Sequence, residues 1–290
     1  MKNKLSKITT VGAALLLLGV SAYKNNMYQF KLPDLNINHL RLLDVSDKTK
    51  PEQVRKVDDS VKTSNNADNK QTNSVDVSDK VTYEMLANLD YTAGTNAVKE
   101  VNGNHNELSA QEAVWSGPVI KYGALDSLNR ATTATAYLDK SSLGKSEGRT
   151  AQTWSPTGWQ QQPKRSGKRV NAYDRGHLVA YTLSFNFDQD GNFKTGESGS
   201  LDNPKNLFTQ TSYSNRQPMQ VFERKVRDAL KNNKQVIYRV QPVFRNDELM
   251  ARGVWVQAKS TDGSLDFNSY IFNVQDGFVF DYSTGKIISN

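Results

Sequence analysis

Residues 44–80 read DVSDKTKPEQVRKVDDSVKTSNNADNKQTNSVDVSDK, a stretch without an aromatic side chain and dominated by Asp, Lys, Asn, Ser, Thr and Val. Such a segment cannot bury enough apolar surface to offset the entropy of ordering its backbone, so it is expected to be a disordered linker. The chain of 290 residues is thereby divided. Core-forming side chains return at Val81 with Tyr83, Met85, Leu86, Leu89 and Tyr91, and one folded domain is expected over residues 81–290, with 23–80 as largely disordered linker. Within that linker, residues 28–43 (YQFKLPDLNINHLRLL) hold enough Leu and Ile for a short amphipathic element, in which His39 reads as an incidental surface residue. The apolar fraction of 37%, low beside the roughly 45–50% of globular chains counted with Gly, belongs largely to the linker.

The N-terminus has a different character. Lys2, Lys4 and Lys7 stand without an acid, residues 8–20 (ITTVGAALLLLGV) are almost wholly apolar, and Ser21 and Ala22 follow. A basic start, a short apolar run and small residues read as a secretory signal peptide over 1–22, cleaved after Ala22. The run is shorter than the roughly 18 residues of a spanning helix; the alternative is an uncleaved N-terminal anchor that tethers the chain to a membrane. Either reading places the remainder outside the membrane, secreted and extracellular or held at the cell surface.

Charge is unevenly placed. The total is +7, but residues 23–110 hold 11 basic and 13 acidic side chains, whereas residues 111–290 hold 23 basic and 17 acidic. A basic domain behind an acidic stalk fits a polyanionic partner, of which nucleic acid is the commonest. Lys164, Arg165, Lys168 and Arg169 concentrate that charge. The absence of cysteine excludes a disulfide framework, a thiolate zinc site and a cysteine nucleophile, and with three His in all the metal chemistry left is that of oxygen ligands and imidazole.

In the folded part, residues 122–126 read as a strand entering a turn, 132–137 (TTATAY) as a β-prone run, and 155–158 as a turn flanked by Trp154 and Trp159. Met219, Phe222, Val226, Ala229 and Leu230 recur at i, i+3, i+7, i+10 and i+11, which predicts an amphipathic helix running from Asn215 to Asn232-Asn233. Three strand-like runs follow, at 236–244, 253–259 and 268–274. The expected class is α+β, a mostly antiparallel sheet with packed helices.

The chemistry centres on residues 171–181, NAYDRGHLVAY. Asp174, Arg175 and His177 bring a carboxylate, a guanidinium and an imidazole together, with Gly176 permitting a tight backbone before the His. Phosphodiester hydrolysis needs a base for water, a cation for the non-bridging oxygens and help for the leaving oxygen. His177 is the candidate base; Arg175 can hold a phosphate bidentately; Asp174 can position Arg175 or the nearby backbone. Downstream, residues 203–215 (NPKNLFTQTSYSN) are rich in amides and lack an acid, and a helix bearing Glu223 follows. Mg²⁺ keeps several waters and accepts few protein oxygens, so one Asn carbonyl with a Glu near its water would suffice. On a continuous helix Asn215 and Glu223 would lie about two turns apart, with Asn215 also suited to cap it.

DRGH, then NPKN, QT, Asn215 and the helix FERKVRDAL together resemble the bacterial DNA/RNA non-specific endonucleases of ββα-metal fold, and most closely the DNA-entry nuclease and streptococcal DNase branch. The resemblance extends from Val81 to the C-terminus, through LDSLNR at 125–130, PTGW at 156–159 and FNVQDG at 272–277, expected as a closing strand. It implies a ββα-metal active-site motif and a metal-dependent, sequence-indifferent endonuclease of DNA and RNA, secreted or surface-tethered, that leaves 5′-phosphate ends. His177 would be general base, Asn215 the single direct ligand of hydrated Mg²⁺, with Mn²⁺ the substitute ion, and Glu223 the holder of water on the metal; no small-molecule cofactor is implied. Asn206 and Gln210 would support the site, and Arg175 would be structural or phosphate-facing. A catalytic arginine upstream of DRGH is also implied, Arg149 first and Arg130 second. Asn129 stands before Arg130 where relatives usually carry Gly.

Other features read blandly. Residues 188–192 (DQDGN) lack the spacing of a calcium loop and read as a hairpin tip; His105, in NGNHN, reads as a turn residue. No Gly-x-Ser-x-Gly elbow or Walker loop is present. The alternative is a catalytically weak extracellular DNA-binding module; a cell-wall enzyme has no motif behind it.

Overall fold

The computed structural model describes residues 80–145, 147, 151–197 and 201–289. The signal or anchor over 1–22, the linker with His39 over 23–79, and Arg149 lie outside the described residues. In chain order the elements are α1 (Tyr83–Ala87), β1 (Val98–Glu100), β2 (Val119–Tyr122), β3 (Ala134–Leu138), β4 (Lys164–Arg165), β5 (Lys168–Arg169), β6 (Tyr173–His177), β7 (Leu207–Thr211), α2 (Ser212–Arg216), α3 (Pro218–Lys231), β8 (Val236–Val243), β9 (Gly253–Ser260), β10 (Asp266–Phe272), β11 (Val279–Asp281) and β12 (Lys286–Ser289).

Side chains two apart on a strand share a face, and here both faces are covered. Val254, Val256 and Ala258 of β9 and Phe267 and Ile271 of β10 join one core with Met219, Phe222, Val226, Ala229 and Leu230 of α3. Trp255, Tyr270 and Phe272 join a second core with Leu86 and Ala87 of α1 and with Val81, Tyr83, Leu89 and Tyr91. The sheet between them has six antiparallel strands in the order β1-β10-β9-β8-β3-β2. Full burial of a Phe, Val or Leu side chain contributes about 1.5–3 kcal/mol as an upper estimate, so the predicted stripe of α3 is what fixes that helix to the sheet. Met85, by contrast, is 47% exposed, on the outer side of α1.

Three local expectations change. The helix predicted from Asn215 is broken: α2 ends at Arg216, Gln217 adopts φ −118°, ψ −81°, and α3 begins at Pro218. Proline lacks an N–H and disfavours helical geometry in the residue before it, yet is suited to a first turn. Asn215 therefore does not cap α3; it lies inside α2, whose cap is Thr211, accepting from Ser214 N. FNVQDG does not continue as a strand past Phe272. Asn273 leaves the sheet, fully buried, to accept from Thr211 N at 2.7 Å and donate to Thr209 O at 3.0 Å and Ala251 O at 2.9 Å, which clamps β7.

Residues 188–192 do form a hairpin tip beside the Phe187–Phe193 bridge, with Asp188 Oδ1 accepting from Asp190 N and Asn192 N. His105 Nδ1 lies 3.0 Å from Asp266 Oδ2 at the start of β10. The 156–159 turn closes through Trp159 N to Pro156 O, with Gly158 at φ +70°, a left-handed value favouring Gly.

Candidate active site

β6 and β7 pair antiparallel, with Asp174 opposite Gln210, Arg175 opposite Thr209 and His177 opposite Leu207. The chain passes from β7 straight into α2 and α3, so two strands and a helical pair form the expected ββα unit. A cleft of about 930 Å³ opens beside it, lined by Asp174, Arg175, His177, Asn215, Glu223 and Arg227 among others. Residues far apart in sequence thus line one cleft.

His177 is part-buried, and its Nε2 lies 3.0 Å from Leu201 O. A carbonyl only accepts, so the proton sits on Nε2 and Nδ1 is the basic nitrogen. Leu201 O also accepts from Gln152 Nε2 at 3.0 Å. Next to it, Asp202 accepts from Thr153 N, Thr153 Oγ1 and Trp154 N at 2.9, 2.5 and 2.9 Å. Burial works to raise the Asp202 pKa, but the bonds from Thr153 and Trp154 and the charge of Arg175 outweigh it and hold the carboxyl below its ordinary value. Arg175 itself donates through Nε to Trp154 O at 2.5 Å and lies with its guanidinium 4.4 Å from the Trp159 ring centroid. The turn and its two tryptophans therefore hold Arg175 at the cleft, and Asp202 holds the turn.

Asp174 does not position Arg175. Its Oδ2 accepts from Asn215 Nδ2 at 2.9 Å and Arg216 Nε at 2.8 Å, and its Oδ1 from Arg216 Nη2 at 2.7 Å and Ser212 Oγ at 3.1 Å. All three partners lie on α2, which the carboxylate pins against β6. The fork on Asp174 raises the Arg216 pKa. Because Asn215 donates with its nitrogen, its Oδ1 is the atom left to bind a cation. Glu223, on α3, has Arg227 Nη1 3.4 Å from its Oε2, and Arg227 also reaches Thr182 Oγ1 at 3.3 Å.

The two amides expected to support the site are both fully buried. Asn206 accepts from Val179 N at 2.9 Å and donates to Val179 O at 3.1 Å, while its own carbonyl accepts from Leu178 N, fixing the chain as it leaves His177. Gln210 donates to Ser214 Oγ at 3.0 Å, tying β7 to α2. Gly176 is a strand residue rather than part of a tight turn: a Cβ there would stand 2.3 Å from Gln210 Oε1 and 2.7 Å from Gln210 Cβ. The glycine is required by the side chain packed across it.

Arg130 is not brought to the cleft, where the upstream arginine is expected. Its Nε binds Asp126 Oδ2 at 2.6 Å, its Nη1 binds Asn246 O and Glu248 O at 2.7 and 2.9 Å, and its guanidinium lies over Phe244. It is a staple between loops and lines no part of the cleft. Asn129 holds φ +61°, a value Asn tolerates, so the turn survives without Gly. Among the described residues the cations lining the cleft are Lys145, Arg175, Arg216, Arg227 and Lys231. Arg216, Arg227, Gln152 and the Leu201–Asp202 segment were not singled out from sequence. Arg227 had a signal, its i+4 spacing from Glu223; a backbone carbonyl such as Leu201 O has none.

Residues 109–262 match the family model described as DNA/RNA non-specific endonuclease. NucA from Streptococcus agalactiae, solved with magnesium bound, is similar at 33% identity and a TM-score of 0.55, over 67% of this chain and 87% of that one. The same protein solved with no metal gives 32% identity and a TM-score of 0.54 over the same shares. A deoxyribonuclease from Streptococcus dysgalactiae subsp. equisimilis is 24% identical over 232 residues, 70% of this chain and 71% of that protein.

Proposed function

The chain belongs to the DNA/RNA non-specific endonuclease family, and from that membership we propose an Mg²⁺-dependent hydrolysis of DNA and RNA phosphodiesters, with His177 as general base and Asn215 as the direct protein ligand of the ion. That the protein is an endonuclease acting on nucleic acid follows from the family. What supports the finer reading is one cleft lined by both an imidazole, oriented through its Nε2 on Leu201 O, and an amide, oriented through its Nδ2 on Asp174.

The donor set fits a hydrated ion. Among the described residues no three His, Asp or Glu side chains gather as a metal cage, and Mg²⁺ is satisfied by one or two protein oxygens and several waters. Asn215 Oδ1 would bind it directly, and Glu223, fixed by Arg227, would accept hydrogen bonds from its water. The ion, when bound, supplies positive charge to the non-bridging and leaving oxygens of the phosphodiester. His177 Nδ1 takes the proton from the attacking water, while Nε2–H on Leu201 O keeps the ring oriented. Arg175, Arg216 and Arg227 give the cleft its positive lining for phosphates. None of these groups reads a base, so cleavage is indifferent to sequence and accepts DNA or RNA, leaving 5′-phosphate ends. The domain over 81–290 would act outside the cell, which the signal-like residues 1–22 support, either released or tethered by that segment.

The test is digestion of plasmid DNA and of RNA with Mg²⁺, with Mn²⁺ and with a chelator, by wild type and His177→Ala. Loss of a general base lowers kcat by about 10²–10⁴-fold, and chelation abolishes cutting. Undiminished cutting by the variant removes His177 as the base.

A further inference from the structure

The β4–β5 hairpin projects four cations that the active-site cleft does not use. Lys164, Arg165, Lys168 and Arg169 are all exposed, and none lines the cleft. Among the described residues no ion pair to a carboxylate involves any of the four. Ser166 at φ +50° and Gly167 at φ +74° form a two-residue turn with both positions left-handed, the kind that matches strand twist. The register sets Lys164 opposite Arg169 and Arg165 opposite Lys168. Like charges directly across a ladder destabilise it, and here both rungs carry them. A polyanion lying against the hairpin relieves that repulsion; packing alone gains nothing from it.

The hairpin is also attached to the catalytic strand. Gln162, just before it, accepts from Ala172 N at 2.8 Å and Tyr173 N at 3.1 Å, and Val170 N closes the base on Pro163 O at 2.8 Å. Arg165 is spent on anchoring: it lies over Phe278 and donates to Gly277 O at 3.4 Å. From Arg169 to Asp174 the chain can span at most about 18 Å, no more than about five base pairs of duplex rise. A duplex seated in the cleft extends over more than that span, so the remaining cations lie close enough to the β6 strand to meet the duplex's flanking phosphates if it runs on the hairpin side.

We propose that the β4–β5 hairpin is a second nucleic-acid contact, in which Lys164, Lys168 and Arg169 hold backbone phosphates flanking the scissile one and favour long substrates over short. The inference rests on the nuclease reading above. The triple variant Lys164→Gln, Lys168→Gln, Arg169→Gln keeps the Arg165 anchor and is compared with wild type on long duplex DNA and on a small nitrophenyl phosphodiester that has no flank. With duplex, KM rises and the log–log salt slope becomes shallower by about 0.9 per lost contact. Three contacts then cost the wild type about 40-fold more affinity than the variant between about 50 and 200 mM salt. The kcat at saturating duplex and the rate on the small ester stay unchanged, and a charge-keeping Lys164→Arg, Lys168→Arg, Arg169→Lys variant retains the wild-type slope. Unchanged KM and slope in the Gln variant overturn the proposal, as does an equal loss on the small ester, which would mean that the hairpin acts through β6. A wild type that cuts neither substrate overturns the nuclease reading itself, so the two failures are distinguishable.

Discussion

Replacement of Asp174 by Asn tests whether the DRGH carboxylate works through Asn215, the ligand proposed for the metal ion. Asp174 has a side chain 14% exposed and accepts four hydrogen bonds from Ser212, Asn215 and Arg216. An amide of the same shape has one accepting atom, so whichever way it turns its NH₂ group meets an N–H of Arg216, which cannot accept. A hydrogen bond to a charged group contributes about 1.5–3 kcal/mol when buried; Arg216 is 50% exposed and can turn to water, which puts the stability loss nearer 1–2 kcal/mol by the same scale. The larger effect is on Asn215. With the NH₂ group in the Oδ2 position, Asn215 rotates its own amide to accept from it and presents nitrogen to the cleft, and loss of such an orienting partner typically costs about 10–100-fold in metal affinity. Initial rates measured against Mg²⁺ concentration, with urea unfolding of the metal-free protein alongside, separate these effects. The half-saturating Mg²⁺ concentration of Asp174→Asn rises about 10–100-fold, and the plateau rate is largely recovered. An unchanged Mg²⁺ dependence with a lowered plateau refutes the argument.

Two further outcomes follow from the frame around the site. Gly176→Ala forces a Cβ against fully buried Gln210 and, as an overpacking change, lowers stability by about 1–3 kcal/mol; a urea midpoint equal to wild type would show that β6 and β7 can separate at no cost. Asp202 has a folded-state pKa below its ordinary value, so the unfolded chain takes up its proton first. The stability it confers is complete above the ordinary carboxylate pKa of about 3.9 and is lost as pH falls through the lower folded value. Asp202→Asn therefore lessens the acid-side slope of stability against pH, and by loosening Leu201 lowers kcat by less than the roughly 10²–10⁴-fold of losing the base outright. An unaltered acid limb, followed by thermal melts between neutral and acid pH, would count against this.

Much of the fold was legible because its signals are local. The stripe of Met219, Phe222, Val226, Ala229 and Leu230 depends only on helical period, and all five are buried as that period requires. The runs at 236–244 and 253–259 emerge as β8 and β9 within a residue at each end. Where the reading failed, a local rule met a stronger one. Pro218 interrupted the helix that the apolar spacing carried back to Asn215, and Asn273 gave up a strand position because its amide could satisfy three backbone groups of two other segments.

The sequence by itself determined which residue types could do chemistry. A cysteine-free chain with one DRGH string has an imidazole, amides and a carboxylate to work with. Only the tertiary structure decided what each charged group does. Arg130 and Arg175 are the same side chain in sequence, yet one is held by Asp126 and two carbonyls and the other lies on Trp159 beside the cleft. Asp174 finds its partners 38 to 42 residues away, and His177 takes its orientation from a carbonyl 24 residues on. Period and propensity act over a few residues, whereas these bonds depend on how β6, β7 and α2 come together, and that is settled by packing.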